Sequence, residues 1–187
     1  KTAFVTGAAK RVGRSLALAL ARSGADVLIH YRRSKAEAEA VVREIASLGR
    51  KAETLAADFE DPRSVDLLID DLRRRAPLSI VVNNVGEYLV KPVVDTTVDE
   101  WRALVETNLL APVAIMRGVF PLFPKEGGLI VNLGYAGVDR VGVATKSAAY
   151  QATKTALLVA TKAFAAAGGP LKIRVNMISP GQLENSV

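Results

Sequence analysis

Tyr150 and Lys154 are the two residues whose types and spacing most directly indicate catalysis. They lie four positions apart in a segment of helical pattern, so both side chains should project from one face of a helix. A lysine ammonium beside a phenol favours the phenolate and lowers the phenol pKa, which allows the tyrosine to act as a general acid or base. Because a tyrosine and a lysine also reach this spacing by chance, the pair gains its weight from its position between the last two predicted strands.

A glycine-rich segment, TGAAKRVG at residues 6–13, lies between an apolar run and a helical pattern. Gly7 permits a tight turn there, and Gly13 permits close packing of the helix that follows. The free N–H groups at the start of that helix can bind a pyrophosphate. The segment therefore predicts a dinucleotide site, with a purely structural turn as the alternative.

The end of the second predicted strand indicates which dinucleotide binds. Proteins that bind NAD commonly place an acidic residue there, for the ribose hydroxyls. Here Tyr31 and Arg32 take that position, followed by Arg33 and Ser34. Guanidinium groups and a hydroxyl suit a 2′-phosphate, so we expect NADPH. The alternative is that the two arginines only form a solvated turn.

The elements that must position these residues alternate between apolar runs and longer segments of helical period, which is the pattern of βαβ units. The predicted strands are 2–6, 26–31, 52–57, 79–83, 129–133 and 173–178. The predicted helices are 14–22, 35–48, 62–75, 98–123 with an interruption at Pro112, and 147–167. We expect an α/β fold with a doubly wound parallel sheet, that is, a three-layer α/β/α Rossmann fold. Residues 1–187 should form a single dinucleotide-binding and catalytic domain that lacks part of its C-terminal substrate-binding region.

Composition excludes several other classes of protein. The 187 residues include no cysteine and one histidine, His30, which excludes a disulfide framework, a thiolate nucleophile and a histidine-rich metal site. The net charge of +6 comes from scattered basic residues, so we expect no nucleic-acid partner. We also see no charged leader and no apolar run of membrane-spanning length, and therefore expect a cytoplasmic protein with no membrane partner.

Four motifs occur in the order found in short-chain dehydrogenases/reductases: TGAAKRVGRSLA at 6–17, NNVG at 83–86, YQATK at 150–154 and the pair Pro180-Gly181. The chain resembles this family over nearly its whole length. Its first motif, together with HYRRS at 30–34, resembles the pteridine reductase branch. The resemblance implies an NADPH-dependent enzyme that transfers hydride to a carbonyl or imine-type double bond of a small-molecule substrate. It also implies a homodimer or homotetramer built on the long helix and the Tyr150 helix, whose outer faces carry apolar residues such as Leu157 and Ala160.

The resemblance also assigns roles to residues. Tyr150 becomes the proton donor, Lys154 also binds the nicotinamide ribose, and Asn108 orders a water in a proton relay. The middle glycine of the family loop falls at Arg11, and a basic residue there accompanies NADPH preference. Asp58 should contact the adenine, with a helix N-cap before Pro62 as its alternative. The residues expected to contact the cofactor are Gly7, Lys10, Arg11, Val12, Gly13, His30, Tyr31, Arg32, Arg33, Ser34, Asp58, Phe59, Asn84, Gly86, Tyr150, Lys154, Pro180 and Gly181.

One family residue is missing. The family places a serine thirteen residues before the tyrosine to hydrogen-bond the substrate carbonyl, and Gly137 occupies that position here. Alignment on the preceding strand instead puts Tyr135 at the serine, so we expect Tyr135 to polarise the substrate, with a surface loop residue as the alternative. Pteridine reductases have an aspartate at this point, and the nearest acid, Asp139, lies four residues late.

Three functions remain open at this stage. The resemblance around the glycine loop implies a pteridine or folate-like substrate, and a 3-ketoacyl-type carbonyl reductase is the alternative within the same class. The missing serine favours a catalytically silent NADPH-binding regulatory protein, whereas Tyr150, Lys154 and Asn108 together favour an enzyme. We expect the segments 87–96 and 135–147, and the residues from 182 onward, to shape the substrate pocket.

Overall fold

Six parallel strands form one sheet, and the computed structural model describes them within residues 1–140 and 142–181. The strands are β1 (Thr2–Val5), β2 (Asp26–Tyr31), β3 (Ala52–Ala56), β4 (Ile80–Asn83), β5 (Gly128–Leu133) and β6 (Ile173–Ile178). Their order across the sheet is β3-β2-β1-β4-β5-β6. Strands β2 and β3 are added on one side of β1, and β4 to β6 are added on the other side. The order of the strands therefore reverses between β1 and β4, and the carboxyl ends of these two strands form the crevice where such sheets bind ligands. The predicted fold class is confirmed.

Helices cover both faces of this sheet. They are α1 (Arg11–Arg22), α2 (Lys35–Ser47), α3 (Pro62–Arg73), α4 (Val98–Val105), α5 (Ala111–Val119) and α6 (Ala148–Gly168). Side chains of α1 and α2 pack with β1 and β2 in one hydrophobic cluster, and side chains of α3, α5 and α6 pack with other strand residues in a second. Leu157 of α6 is fully buried in the second cluster, so its assignment to an outer face was wrong.

The predicted long helix is continuous but irregular. A π-helical segment, Glu106–Leu110, joins α4 to α5, and Pro112 follows in the first turn of α5. Because proline has no N–H to donate, the helix lacks one backbone hydrogen bond next to this change of helix type. The predicted interruption is therefore a local change of helix type that includes Asn108. By length and composition the stretch Val98–Leu122 could also cross a membrane, which corrects our expectation that no segment could. Half of its most apolar window is buried, and it packs against α3 and α6 as a core helix does.

Candidate active site

The glycine loop lies at the crevice, between β1 and α1. Gly7 has a φ of +62°, a conformation that favours glycine. A Cβ at Gly13 would collide with the carbonyl oxygen of Gly7, so only glycine allows α1 to approach the loop this closely. Helix α1 has no side-chain cap and no acidic residue in its first turn. Its first amides are therefore available to an anion such as a pyrophosphate.

Helix α1 begins at Arg11, three residues earlier than we predicted. Arg11 itself has a φ of +49°, so it keeps the left-handed backbone that suits the glycine of the family pattern. For a residue with a Cβ this conformation costs roughly 1–2 kcal/mol. Arg11 is exposed, which leaves its guanidinium accessible to a ligand at the loop.

The basic residues expected at the 2′-phosphate fall into two groups. Lys10 and Arg32 are already paired: Lys10 lies 2.7 Å from Glu37, and Arg32 lies 2.7 Å from Glu60. Within residues 1–140 and 142–181, Arg11 and Arg33 form no ion pair. Ser34 is the N-cap residue of α2, yet its hydroxyl makes no capping hydrogen bond. Arg11, Arg33 and Ser34 are therefore the groups best placed to take a phosphate.

His30 does not face the crevice, contrary to our expectation that it contacts the cofactor directly. It is 2% exposed, and its two ring nitrogens are bonded to the amide of Gly7 and the carbonyl of Ala57. Phe59, another expected contact, is also buried and stacks on the His30 ring with centroids 4.4 Å apart. Both residues lie beneath the cofactor crevice and support it.

Asp58 is free of the capping role that was its alternative, because Asp61 caps α3 by accepting a hydrogen bond from the amide of Arg63. The Asp58 carboxylate instead accepts from the amide of Glu60 and lies 3.3 Å from Arg32. The structure therefore holds Asp58 just after β3, at the carboxyl edge of the sheet, and its contact with the adenine stays a prediction.

The segment NNVG fastens β4 to the glycine loop. The Thr6 hydroxyl accepts hydrogen bonds from the amides of Asn84 and Val85, and the Asn84 side chain donates to the carbonyl of Thr6 at 2.9 Å. Asn83 donates to Asn132 on β5, which in turn donates to the hydroxyl of Thr161 on α6. This buried chain of hydrogen bonds joins the centre of the sheet to the helix that carries Tyr150.

Lys154 is 2% exposed and donates a hydrogen bond of 2.9 Å to the carbonyl of Leu133, at the end of β5. A Cβ at Gly86 would lie 2.9 Å from the Lys154 nitrogen, so glycine at this position makes room for the ammonium. Burial lowers the pKa of Lys154 from 10.5 to about 8. The residue thus remains charged at neutral pH, at the edge of the crevice next to Gly86.

The pKa of Tyr150 is raised, whereas we expected Lys154 to lower it. Burial raises the pKa of its phenol, and the neighbouring phenols of Tyr88 and Tyr135 raise it further. Lys154, whose ammonium donates to the carbonyl of Leu133, is not among the groups that shift this pKa. Tyr150 is consequently protonated at neutral pH, which suits a proton donor.

The side chain of Asn108 forms two hydrogen bonds with the backbone of Glu87. Its side-chain amide donates to the carbonyl of Glu87 at 2.9 Å, and its side-chain oxygen accepts from the amide of Glu87 at 2.8 Å. It also donates to the hydroxyl of Thr153 at 3.3 Å. The side chain therefore clamps the segment that follows Gly86 against α6, and the predicted water relay stays a prediction.

Tyr135 stands beside Tyr150, with ring centroids 5.7 Å apart. The amides on either side of it, those of Gly134 and Ala136, donate to the carbonyls of Ile178 and Pro180. These bonds anchor Tyr135 to the end of β6, whereas Gly137 has no side chain to offer and is exposed. The alignment on the strand therefore brings a hydroxyl-bearing side chain to the catalytic tyrosine. Asp139 is exposed in the same loop.

Tyr88 belongs to the site and was missed as an individual residue. Its ring meets the Tyr150 ring edge to face, with centroids 4.8 Å apart, and it is 53% exposed. The segment around it is held in place because the amide of Val93 donates to the carbonyl of Thr145. An aromatic residue shortly after NNVG was the only sequence signal. Gly181 is exposed beside Pro180, and residues 182–187, expected to shape the pocket, lie outside the described part of the chain.

Comparison with known proteins identifies the family of this chain. The family model described as short chain dehydrogenase matches residues 1–187. An uncharacterised oxidoreductase of Methylorubrum extorquens is 35% identical over 182 residues, which are 97% of this chain and 72% of that protein. A hydroxynaphthalene reductase-like protein of Metarhizium robertsii is 32% identical over 188 residues, covering 100% of this chain and 70% of that protein.

Solved structures of similar proteins have the same fold. A short chain dehydrogenase of Burkholderia cenocepacia in complex with NADP is 34% identical, with a TM-score of 0.92 over 98% of this chain and 75% of that one. A blue fluorescent protein from a metagenomic library in complex with NADPH is 32% identical, with a TM-score of 0.92 over 99% of this chain and 75% of that one. A landomycin C-6 ketoreductase with bound NADP and rabelomycin is 30% identical, with a TM-score of 0.91 over 100% of this chain and 78% of that one.

Proposed function

Because this oxidoreductase belongs to the short-chain dehydrogenase/reductase family, we propose that it uses NADPH to reduce the carbonyl group of an aromatic ketone. The observation that carries the proposal is the meeting of three features at one crevice. These are the uncapped start of α1, the charged Lys154 beside Gly86, and the protonated Tyr150 next to two further tyrosines. Binding groups for a dinucleotide and a proton donor thus lie at the same sheet edge.

The residues present fit NADPH. The first amides of α1 suit the pyrophosphate, and Arg11, Arg33 and Ser34 offer charge and a hydroxyl to a 2′-phosphate. Asp58 is held where it can meet the adenosine, and Lys154 can reach the nicotinamide ribose from beside Gly86. The structures of the Burkholderia cenocepacia and metagenomic proteins, which contain NADP and NADPH, support the same choice.

The chemistry that bound NADPH supplies is a hydride for the carbonyl carbon. Tyr150 donates its phenolic proton to the carbonyl oxygen, and the alcohol is released. We expect the Lys154 ammonium, one turn further along α6, to turn from the Leu133 carbonyl toward the phenolate left behind, which solvent then reprotonates. The Tyr135 hydroxyl polarises the carbonyl in place of the family serine, and Asn108 positions the Glu87 segment below the substrate.

The proposed substrate class follows from the walls of the site. Tyr88 and Tyr135 present aromatic rings on two sides of Tyr150, which suits a flat aromatic molecule. Two similar proteins have names or ligands of this kind, the hydroxynaphthalene reductase-like protein and the ketoreductase with bound rabelomycin. The pteridine substrate that we expected has no such support, and the exposed Asp139 gives no substitute for the pteridine reductase aspartate.

The proposal is tested by fluorescence titration with NADPH and NADH and by the oxidation of NADPH with 1-tetralone, for the native protein and Tyr150→Phe. We expect tighter binding of NADPH than of NADH, and a fall in turnover of about 10²- to 10⁴-fold in Tyr150→Phe with little change in NADPH affinity. Tight NADPH binding without turnover of 1-tetralone, other ketones or pteridines would instead favour the silent cofactor-binding protein.

We further propose that two copies associate through α4 and α6. An open groove of about 510 Å³ runs along these helices and the loop that carries Tyr135; its lining includes Trp101, Ala152 and Val159, and Val159 is 65% exposed. Analytical ultracentrifugation should show a dimer or tetramer that Val159→Lys reduces to smaller species. Leu67→Lys changes a similarly exposed residue on α3 and should leave the assembly intact. A native protein that sediments as a monomer would rule this out.

A further inference from the structure

His30 is a buried side chain that the reaction does not use, yet every polar atom of its ring is bonded. The Gly7 amide donates to its Nδ1 at 3.0 Å, so Nδ1 carries no proton. The proton is on Nε2, which donates to the carbonyl of Ala57 at 3.1 Å. The imidazole must therefore be neutral, with one fixed tautomer.

The backbone of His30 holds the loop as well. Its carbonyl accepts a hydrogen bond of 2.9 Å from the amide of Ala8. Two consecutive amides of the glycine loop, those of Gly7 and Ala8, are thus turned into the protein by one residue of β2. The amides that remain for a pyrophosphate are those at the start of α1. His30 thereby sets which groups of the loop face the ligand.

The other side of the ring contacts the turn that follows β3. Ala57, which accepts from Nε2, directly precedes Asp58, and Phe59 stacks on the ring at an interplanar angle of 12°. Burial lowers the pKa of His30 to about 4, an effect that the bond to Ala57 and the charge of Asp58 partly oppose. The bridge therefore persists at neutral pH.

We infer that His30 is a positioning residue for cofactor binding, because its neutral ring ties the glycine loop at Gly7 to the adenosine-binding turn at Ala57 and Asp58. The inference rests on the proposed binding of NADPH at this loop. An apolar residue at position 30 would leave the partly buried Gly7 amide without this hydrogen-bond partner. The loop would then be free to leave the conformation that the dinucleotide needs.

Three variants separate the two hydrogen bonds of the ring. The side-chain oxygen of Asn can occupy the place of Nδ1, so His30→Asn keeps an acceptor for Gly7. The side-chain amide of Gln can occupy the place of Nε2, so His30→Gln keeps a donor for Ala57 but loses the acceptor for Gly7. His30→Leu loses both. All three remove the ring that stacks on Phe59, so that loss is common to them and does not distinguish one variant from another.

The test is calorimetric titration of each folded protein with NADP⁺ at pH 7, with a thermal melt of each. We expect His30→Asn to bind nearly as well as the native protein, and His30→Gln and His30→Leu to bind roughly tenfold more weakly, the effect of one hydrogen bond. The NADPH KM should rise in the same order while kcat at saturating NADPH stays constant. Ile45→Val, which trims a buried side chain of α2, should lower the melting temperature without changing the affinity.

Two results would overturn the inference while the proposed function stands. One is equal affinity of all three variants and the native protein for NADP⁺. The other is equal weakening in His30→Asn and His30→Gln that follows their melting temperatures, since a merely structural role predicts that pattern. If the native protein itself fails to bind NADP⁺, the proposed function fails, and the inference fails with it.

Discussion

The cofactor half of the crevice and its catalytic half are held together in different ways. In the cofactor half, formed by the glycine loop, the end of β2 and Asn84, hydrogen bonds fix the backbone of the loop, and a Cβ at Gly13 would not fit. In the catalytic half, formed by the segments 86–96, 135–140 and 142–147 and by one face of α6, the three tyrosine rings of the site meet one another. The first half depends on small residues and tolerates little change, whereas the second can exchange side chains and keep its fold.

Tyr135, which the alignment on β5 puts at the position of the family serine, has the role that we propose for it because of this freedom. Its neighbours Gly134 and Ala136 anchor the backbone to β6 whatever side chain lies between them. A change of side chain there alters how the carbonyl is polarised without disturbing the sheet. The comparison therefore predicts that substitutions in the catalytic half change turnover, and that substitutions in the cofactor half change affinity and stability together.

Lys154→Met should give the largest separation of activity from stability. We expect turnover to fall by roughly a hundredfold or more, because a charge near the developing phenolate is lost. Burial lowers the pKa of Lys154 to about 8, so the ammonium carries a burial cost at neutral pH. Removing it should raise the free energy of unfolding by up to about 3 kcal/mol. Urea unfolding and steady-state kinetics measure the two effects.

The gain in stability has a defined pH dependence. The unfolded chain retains the Lys154 proton up to its ordinary pKa of 10.5, whereas the folded protein loses it near 8. The cost is therefore full below pH 8 and declines as the pH rises toward 10.5. The advantage of Lys154→Met over the native protein should shrink across this range. An advantage that is absent at pH 7 would mean that the ammonium is well solvated.

Gly13→Ala should affect affinity and stability together. The new methyl group would collide with the Gly7 carbonyl oxygen and crowd the Asn84 side chain. We expect a loss of about 1–3 kcal/mol in stability and a 10- to 100-fold weaker affinity for NADPH. Gly169→Ala, at a glycine whose Cβ would meet nothing within 4 Å, is the matched control. Unchanged NADPH affinity in Gly13→Ala would break the distinction between the two halves.

Arg11→Gly should change stability and affinity in opposite directions. Glycine relieves the positive φ at this position, which should stabilise the protein by about 1 kcal/mol. Loss of the guanidinium should weaken NADPH binding by about tenfold and leave NADH binding unchanged. Parallel titrations with the two cofactors test this. If NADPH and NADH weaken equally, Arg11 does not contact the 2′-phosphate.

Tyr88→Leu should have the smallest effect, confined to substrate preference. 1-Tetralone and 1-decalone share a carbonyl and a two-ring skeleton, but only the first is aromatic. We expect the ratio of their kcat/KM values to fall about threefold in Tyr88→Leu and to persist in Tyr88→Phe, which keeps the ring. A ratio that does not change in Tyr88→Leu would remove Tyr88 from the substrate wall.

The cofactor half was the more predictable from the sequence, because its determinants lie close together along the chain. Gly7, Gly13 and the bounds of β2 follow from local patterns, and β2 was predicted as Asp26–Tyr31, as observed. The early start of α1 was missed because Arg11 adopts a backbone that the sequence associates with glycine. We expected His30 to contact the cofactor, because a strand pattern does not show which neighbouring groups form hydrogen bonds with its ring nitrogens.

The catalytic half required long-range information. Tyr88 and Tyr150 are distant in sequence and meet only because α6 packs beside the segment that follows β4. The π-helical segment around Asn108 leaves the apolar pattern of the long helix intact, so periodicity did not reveal it. The pairing of Asn108 with the Glu87 backbone likewise depends on that packing.

The central claim is that hydride passes from NADPH to a carbonyl carbon in this crevice. The most direct measurement incubates the native protein with 1-tetralone and NADPH deuterated at both C4 positions, and analyses the product by mass spectrometry and NMR. The account predicts 1-tetralol with one deuterium at C1, and almost none with Tyr150→Phe. An alcohol without deuterium at C1, or an equal yield from both proteins, would contradict it.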